Sequence, residues 1–255
     1  GRFTQKVSYL KKNYKTNLNR YEISNKLKLS EKNFIDLNNH AKRIGIDFLT
    51  TPCGLKSLNF ITNVLKVPFI KIGSSELNNY TYLAEVAKKQ KIIFLSTGMS
   101  KLNEVEEAFR VIKKYNSKKL YILQCTSEYP CPSNNLNLDV LKIYKNKFKN
   151  CGFSDHSLGF EASLLSIGYG ARVLEKHFTY SRKNQSFHDH LLSAEPDEMK
   201  KLVKNVRKAE IILGSEVRAK NNPNHKILCR ICEDSRELIE QIESLIYGYV
   251  SKHSC

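Results

Sequence analysis

Four short segments each set a charged, hydroxyl or imidazole group just behind an apolar, β-rich run. They are Lys71-Ile72-Gly73-Ser74-Ser75-Glu76, Ser96-Thr97-Gly98-Met99, Ser154-Asp155-His156-Ser157 and Glu175-Lys176-His177-Phe178. Neutral imidazoles are good ligands for manganese, zinc or iron, and His156 and His177, ending consecutive strands, can share one ion. Taken alone, a histidine at a strand end is more often a hydrogen-bonded core residue, and both readings stay open at this point. Asp155 stands beside His156, where it could orient the ring or help the site. Lys71, Ser74, Ser96, Ser127 and Ser154 offer one cation and several hydroxyls, the mixture that phosphate and carboxylate groups need. Plain polarity at loop starts is the alternative. Glu76 is placed for acid–base work or for a sugar hydroxyl, although a lone glutamate at a loop start is usually just solvated. His188, Asp189 and His190 fall in the long segment after the last strand. Cys229 and Cys232 have CxxC spacing near His225, but a structural zinc site needs four ligands, often as two such pairs. Ser96-Thr97-Gly98 has no GxGxxG around it, so a dinucleotide fold has no support.

Chemistry at strand ends requires strands to end there. Residues 1–25 are polar and patternless and read as an arm. From Ser30, Phe34, Leu37, Ala41 and Ile44 recur at helical spacing, and Gly45 closes the pattern. Ile46-Asp47-Phe48-Leu49-Thr50 reads as a short strand. A helix is expected from about Leu55 to Leu65, and strand Phe69–Ile72 follows it. A helix over 80–88 precedes strand Ile92–Leu95, and a helix over 101–114 precedes strand Leu120–Cys125. Pro130 and Pro132 break the next loop. The spacing then predicts a helix over 137–146, a weak strand ending at Phe153, a helix over 159–169 and a strand over 172–175. Pro196, Asp197 and Glu198 suit a helix first turn, and Gly214 ends that helix. Asn221-Asn222-Pro223-Asn224 reads as a linker, and 234–248 as a lone amphipathic helix. Short strands that alternate with helices and are apolar on both faces argue a parallel sheet covered by helices. About six such units are visible, where a closed (β/α)8 barrel has eight.

The chain has 255 residues, 41% hydrophobic and 26% charged, ordinary values for a globular domain. It lacks a run of about 18 uncharged apolar residues, so no membrane span is expected. The first residues lack the apolar stretch of a signal peptide. Its seven cysteines are scattered, which fits reduced thiols in the cytoplasm better than a disulfide framework. The net charge is +17. Lysines are spread over the chain without a stripe of interleaved aromatics, so no nucleic-acid partner is expected. Small anionic substrates fit the charge equally well.

Taken in order, the motifs resemble the sialic acid synthase family. The residues that carry this are Phe48-Leu49-Thr50-Thr51-Pro52, Lys71–Glu76, Leu95-Ser96-Thr97-Gly98-Met99, Cys125-Thr126-Ser127-Glu128-Tyr129-Pro130, Gly152–Gly159, Glu175–Thr179, and Asp189-His190 followed by Ser193–Glu198. The resemblance runs from about Tyr21 to Gly214. It implies an α/β fold of the TIM-barrel type, here incomplete. It implies condensation of phosphoenolpyruvate with an N-acetylated hexosamine aldehyde, N-acetylmannosamine or a 6-deoxy diamino analogue, with release of phosphate by C–O cleavage. His156 and His177 would hold a divalent metal, manganese in most members, with magnesium or cobalt as alternatives. Thr51, Lys71, Ser74, Ser96, Ser127 and Ser154 would contact phosphoenolpyruvate. Glu76, Tyr129 and Asp189 would touch the sugar or the reacting centre.

Several positions depart from the family pattern. Ser127 stands where many members have asparagine, and Ser75 where glycine is usual. Residues 184–188 lack the common Gly-Pro pair. The context of Tyr129 leans towards the neuraminic and legionaminic branch. The family's first two strands, with their glutamate and Lys-Phe-Gln, have no counterpart here. Residues 215–255 show no match to the family's antifreeze-like domain. The expected organisation is thus an arm (1–25), a partial barrel (26–214) and a linker with a helix (215–255). A homodimer or a partner chain would complete the barrel. The alternative function is a catalytically inactive module that keeps the metal and anion site.

Overall fold

The computed structural model describes Glu22, residues 28–183 and residues 189–214. Cys229, Cys232, His188, the 221–224 linker and the 234–248 helix lie outside the described residues, as does the arm apart from Glu22. The backbone divides into Gly1–Lys200 and Lys201–Cys255, and the described part of the second unit continues the last helix.

Five strands form one parallel sheet in chain order: β1 (Phe69–Ile72), β2 (Ile92–Ser96), β3 (Leu120–Cys125), β4 (Cys151–Asp155) and β5 (Leu174–Lys176). Parallel neighbours that follow each other in sequence need a crossover helix each time. Those helices are α3 (Tyr80–Lys88), α4 (Leu102–Tyr115), α5 (Val140–Phe148) and α6 (Glu161–Gly168). Before β1 come α1 (Glu31–Arg43) and α2 (Leu55–Asn59), the latter running into a π turn at Phe60–Val64. After β5 come α7 (Asp189–Leu192) and α8 (Pro196–Leu213). The arrangement is a curled part of a β/α barrel.

One expected strand is absent. Ile46–Thr50 is not a strand, and Ile46 is 59% exposed. Apolar residues alone do not make a strand; a ladder partner does, and among the described strands β1 pairs only with β2. Phe48 instead packs edge-on to Phe34 of α1, with centroids 6.4 Å apart. Two later strands extend further than expected. β4 reaches Asp155 and β5 reaches Lys176, so Ser154, Asp155, Glu175 and Lys176 lie on the ladder. The α5 helix starts at Val140 because a 3-10 turn at Ser133–Asn135 and a left-handed Asn137 (φ 49°) precede it.

Strand alternation divides the side chains. Ile70, Ile72, Ile93, Leu95, Ile122 and Phe153 face the helices and are at most 1% exposed. They meet Leu83 and Val86 of α3, Val105, Ala108 and Ile112 of α4, and Leu141 of α5 in one apolar cluster. The three- and four-residue spacing on α4 is what turns one helical stripe inward. Each such side chain contributes about 1.5–3 kcal/mol through burial. On the concave face, Phe69, Phe94 and Tyr121 stack with successive centroids 5.5 Å apart and are only half-buried. Above them, at the C-terminal ends of the strands, this face turns polar.

Candidate active site

The concave face ends in Lys71 on β1, Ser96 on β2, Cys125 on β3, Ser154 on β4 and Glu175 on β5. Ladder register fixes this row, since Cys125 pairs with Ser154 and Ser154 with Glu175. These residues line a cavity of about 270 Å³ together with Gly73, Ser74, Tyr129, His156, Lys176 and His177. C-terminal strand ends are where active sites sit in β/α barrels.

The cavity floor is an ionic network. The Lys71 ammonium is buried, donates to Ser96 Oγ at 2.8 Å and lies 3.4 Å from Glu175 Oε1. Ser154 Oγ donates to the other Glu175 oxygen at 2.5 Å. Ser74 Oγ accepts from the Gly98 amide at 2.9 Å. A side chain at position 98 would run into the Ser127 hydroxyl and crowd that of Ser74, so a larger residue there must push the Ser127 hydroxyl aside. The floor therefore holds the buried Lys71 ammonium, balanced by the Glu175 carboxylate and surrounded by hydroxyls.

The wall consists of His156, His177 and Tyr129. The imidazole centroids are 5.3 Å apart at 75°, and the Tyr129 ring lies 4.1 Å from His156. Nδ1 of His156 is 2.7 Å from the Thr126 carbonyl oxygen. A carbonyl can only accept, so Nδ1 carries the hydrogen and Nε2 keeps its lone pair. Burial pushes the His156 pKa below its ordinary value; the Thr126 hydrogen bond opposes this and nearby His177 adds to it. His156 is thus neutral at physiological pH, the form that binds metals. Two imidazoles ligated to one ion at about 2.1 Å have centroids about 5 Å apart, so the observed pair fits a shared ion. Among the described residues, no group of three His, Cys, Asp or Glu side chains has metal-binding geometry.

The structure brings together Lys71, Ser74, Ser96, Ser154, Tyr129, His156 and His177. Thr51, Glu76, Ser127 and Asp189 do not line this cavity. Thr51 is exposed, next to Pro52, whose carbonyl accepts from the Tyr82 hydroxyl at 2.8 Å. Burial raises the Tyr82 pKa to about 12, so this bond survives at any physiological pH. Glu76 sits on a 3-10 turn and accepts from Asn79 at 3.0 Å. Ser127 lines a neighbouring cavity of about 720 Å³ with Thr97, Met99, Gln124 and Tyr144. Asp189 begins α7, where its carbonyl accepts from Ser193 Oγ at 2.7 Å.

Asp155 does not orient His156. It is fully buried on the opposite face of β4, where Lys176 lies 3.2 Å from Oδ2. Alternation sends neighbours in a strand to opposite sides, so the Thr126 carbonyl takes the orienting role. The sequence reading gave no role to Glu175 or Cys125. Their shared register with Ser154 reveals them, and a single sequence does not display it. Burial pushes the Cys125 thiol pKa up, which keeps it protonated and disfavours it as a nucleophile.

Comparison with known proteins gives a consistent picture. A model of the NeuB family matches residues 2–218. An uncharacterized protein of Methanocaldococcus jannaschii is 43% identical over 196 residues, covering 76% of this chain and 58% of that protein. The N,N'-diacetyllegionaminic acid synthase of Campylobacter jejuni is 38% identical over 225 residues, covering 87% of this chain and 67% of the enzyme. The chain thus spans roughly three fifths of the length of these relatives. A crystal structure of N-acetylneuraminic acid synthetase from Leptospira borgpetersenii in complex with citrate superposes with a TM-score of 0.74. It is 31% identical, covering 82% of this chain and 73% of that one.

Proposed function

The chain belongs to the NeuB family, and on that premise we propose that the protein is a nonulosonic acid synthase. It joins phosphoenolpyruvate to the open-chain aldehyde of an N-acetylated hexosamine, N-acetylmannosamine or a 6-deoxy diamino analogue. The observation that carries this reading is the pairing of two imidazoles with a buried lysine and hydroxyl cradle in one cavity. The legionaminic acid synthase of C. jejuni supports the sugar class.

Phosphoenolpyruvate brings a phosphate and a carboxylate. Lys71, with Ser74, Ser96 and Ser154, offers the donors for such a ligand. At present Glu175 occupies the anionic position beside Lys71. An incoming anion competes with it and turns the Glu175 carboxylate towards the reacting centre, where it can accept a proton. His156 and His177 would hold a divalent ion, with manganese the expectation. Such an ion supplies Lewis acidity at an aldehyde oxygen. Thr126 keeps His156 in the tautomer this needs, and Tyr129 covers the ring from the solvent side.

In the overall reaction, the enol carbon of phosphoenolpyruvate forms a bond to the aldehyde carbon, and the aldehyde oxygen gains a proton. Water adds to the resulting cationic carbon, and phosphate departs with its bridging oxygen. Lys71 offsets the negative charge on the departing group. Thr51, Glu76, Ser127 and Asp189 are proposed as contacts to the substrates, reached as these fill the space above the cavity. Cys53, Cys125, Cys131 and Cys151 are free thiols, which supports a reducing, cytoplasmic location. No helix among the described residues is long and apolar enough to cross a membrane.

The test is phosphate release from phosphoenolpyruvate with Mn2+ and each candidate sugar. Release that disappears in His156→Ala and His177→Ala is expected. A folded protein that binds phosphoenolpyruvate and Mn2+ but releases no phosphate with any such sugar would instead be an inactive binding module.

A further inference from the structure

We infer that the buried Asp155–Lys176 ion pair is a positioning device that sets the spacing of His156 and His177 from the other side of the sheet. The inference rests on the reading that these two histidines act together. It begins with two tripeptides in matched register, Ser154-Asp155-His156 and Glu175-Lys176-His177. Ser154 pairs with Glu175 and Asp155 with Lys176 on the parallel ladder. Alternation sends the outer members of each tripeptide to the concave face. There Ser154 bonds Glu175 at 2.5 Å, and the imidazoles stand 5.3 Å apart. The middle members go to the helix-covered face. There Lys176 Nζ lies 3.2 Å from Asp155 Oδ2, with side chains 3% and 0% exposed.

Asp155 is fully engaged. Oδ1 accepts from the Ser157 amide at 2.8 Å and from Ser157 Oγ at 2.6 Å, while Oδ2 accepts from Ser163 Oγ of α6 at 2.6 Å. Lys176 also donates to the Ser157 carbonyl at 2.6 Å. The pair thereby ties the end of β4, the turn after His156, helix α6 and the end of β5 to one point.

A buried ion pair is a poor source of stability, because desolvation consumes most of the attraction; its best-attested use is registry. Registry is what this place needs. β5 has three residues and pairs with β4 alone among the described strands. His177 follows its last residue. A strand that short has few ladder bonds to resist slipping, and a slip of one residue would turn His177 away from the cavity. The backbone beyond is held too, since the Ala194 amide donates to the His177 carbonyl at 2.8 Å and the Thr179 amide to the Ala194 carbonyl at 3.0 Å. Those bonds fix the chain after His177; the ion pair fixes it before.

The test is the double variant Asp155→Asn/Lys176→Met, which leaves no unpaired charge in the interior and keeps an oxygen for Ser157. Metal-free crystal structures of wild type and variant give the separation of the two rings. Titration with Mn2+, followed by the electron paramagnetic resonance signal of the free ion, gives affinity. The expected result is a changed ring separation and Mn2+ binding weaker by about tenfold or more, as for other residues that support metal ligands indirectly. Lys147→Met, which removes an exposed pair with Glu106, should change neither. A folded double variant with the same ring separation and the same Mn2+ affinity overturns the inference, even if it melts earlier. If the wild type itself binds no Mn2+, the metal reading fails, and the ring separation alone decides the positioning role. Should the double variant not fold, Ser163→Ala, which removes one support of Asp155 and no charge, is read the same way with a smaller change expected.

Discussion

On the outer face of the sheet, Ile93, Leu95, Ile122 and Phe153 are sealed beneath helices, whereas on the concave face Phe69, Phe94 and Tyr121 are half-exposed beneath a polar rim. The same strands supply both sets, one residue apart. The outer face buries apolar area and supplies most of the stability. The concave face gathers Lys71, Ser96, Ser154, Glu175 and His156 around one cavity, the place proposed for an anion and a metal ion. Stability and chemistry are thus divided across one layer of backbone. Asp155 and Lys176 are an exception, a charged pair on the apolar side.

This division can be broken by mutation, and the largest expected effect is on the outer face. Phe153→Ala should cost about 3–5 kcal/mol in urea unfolding. Gly152→Ala comes next. An added Cβ would stand 2.5 Å from the Val173 carbonyl oxygen and 2.6 Å from Leu123. Backbone cannot give way as a side-chain tip can, so about 1–3 kcal/mol is expected. Phe94→Ala, on the concave face, should cost only about 1–2 kcal/mol, because part of the ring is already in water. A loss equal to that of Phe153→Ala would show that the concave face is covered in solution.

The smallest effect sharpens the comparison through pH. The folded-state pKa of His156 lies below its ordinary value of 6.5, chiefly from burial. The unfolded chain therefore takes up the proton first as pH falls. The stability associated with neutral His156 is full above pH 6.5 and is lost progressively down to the folded-state pKa. The slope from this one group cannot exceed about 1.4 kcal/mol per pH unit. Unfolding of His156→Gln across the same range should show a shallower dependence. An identical slope would mean that His156 is solvated in the folded protein.

The same division explains what the sequence discloses. β1, β2 and β3 are apolar on the helix-facing side and were legible from composition alone. β4 and β5 carry Ser154, Asp155, Glu175 and Lys176, so they read as weak or displaced strands although both lie on the ladder. Ile46–Thr50 shows the opposite error: it has strand-like composition but no ladder partner among the described strands. His156 and His177 were legible because imidazoles behind apolar runs mark strand ends. The partners of Asp155 were not, because its neighbour in sequence is His156 while its neighbour in space is Lys176. That fact belongs to register between strands, which a single sequence does not display. The orienting bond from His156 to Thr126 is hidden for the same reason, since any residue can supply a carbonyl.

The most direct test of the account is anomalous diffraction at the manganese edge, from crystals grown with Mn2+ and phosphoenolpyruvate. The account predicts a manganese peak in contact with Nε2 of His156 and a ring nitrogen of His177, and phosphate or carboxylate oxygens against Lys71 and the serine hydroxyls, with Glu175 displaced from the lysine. Manganese bound away from both histidines, or phosphoenolpyruvate in the cavity beside Thr97 and Tyr144 with the Lys71–Glu175 contact intact, would contradict it.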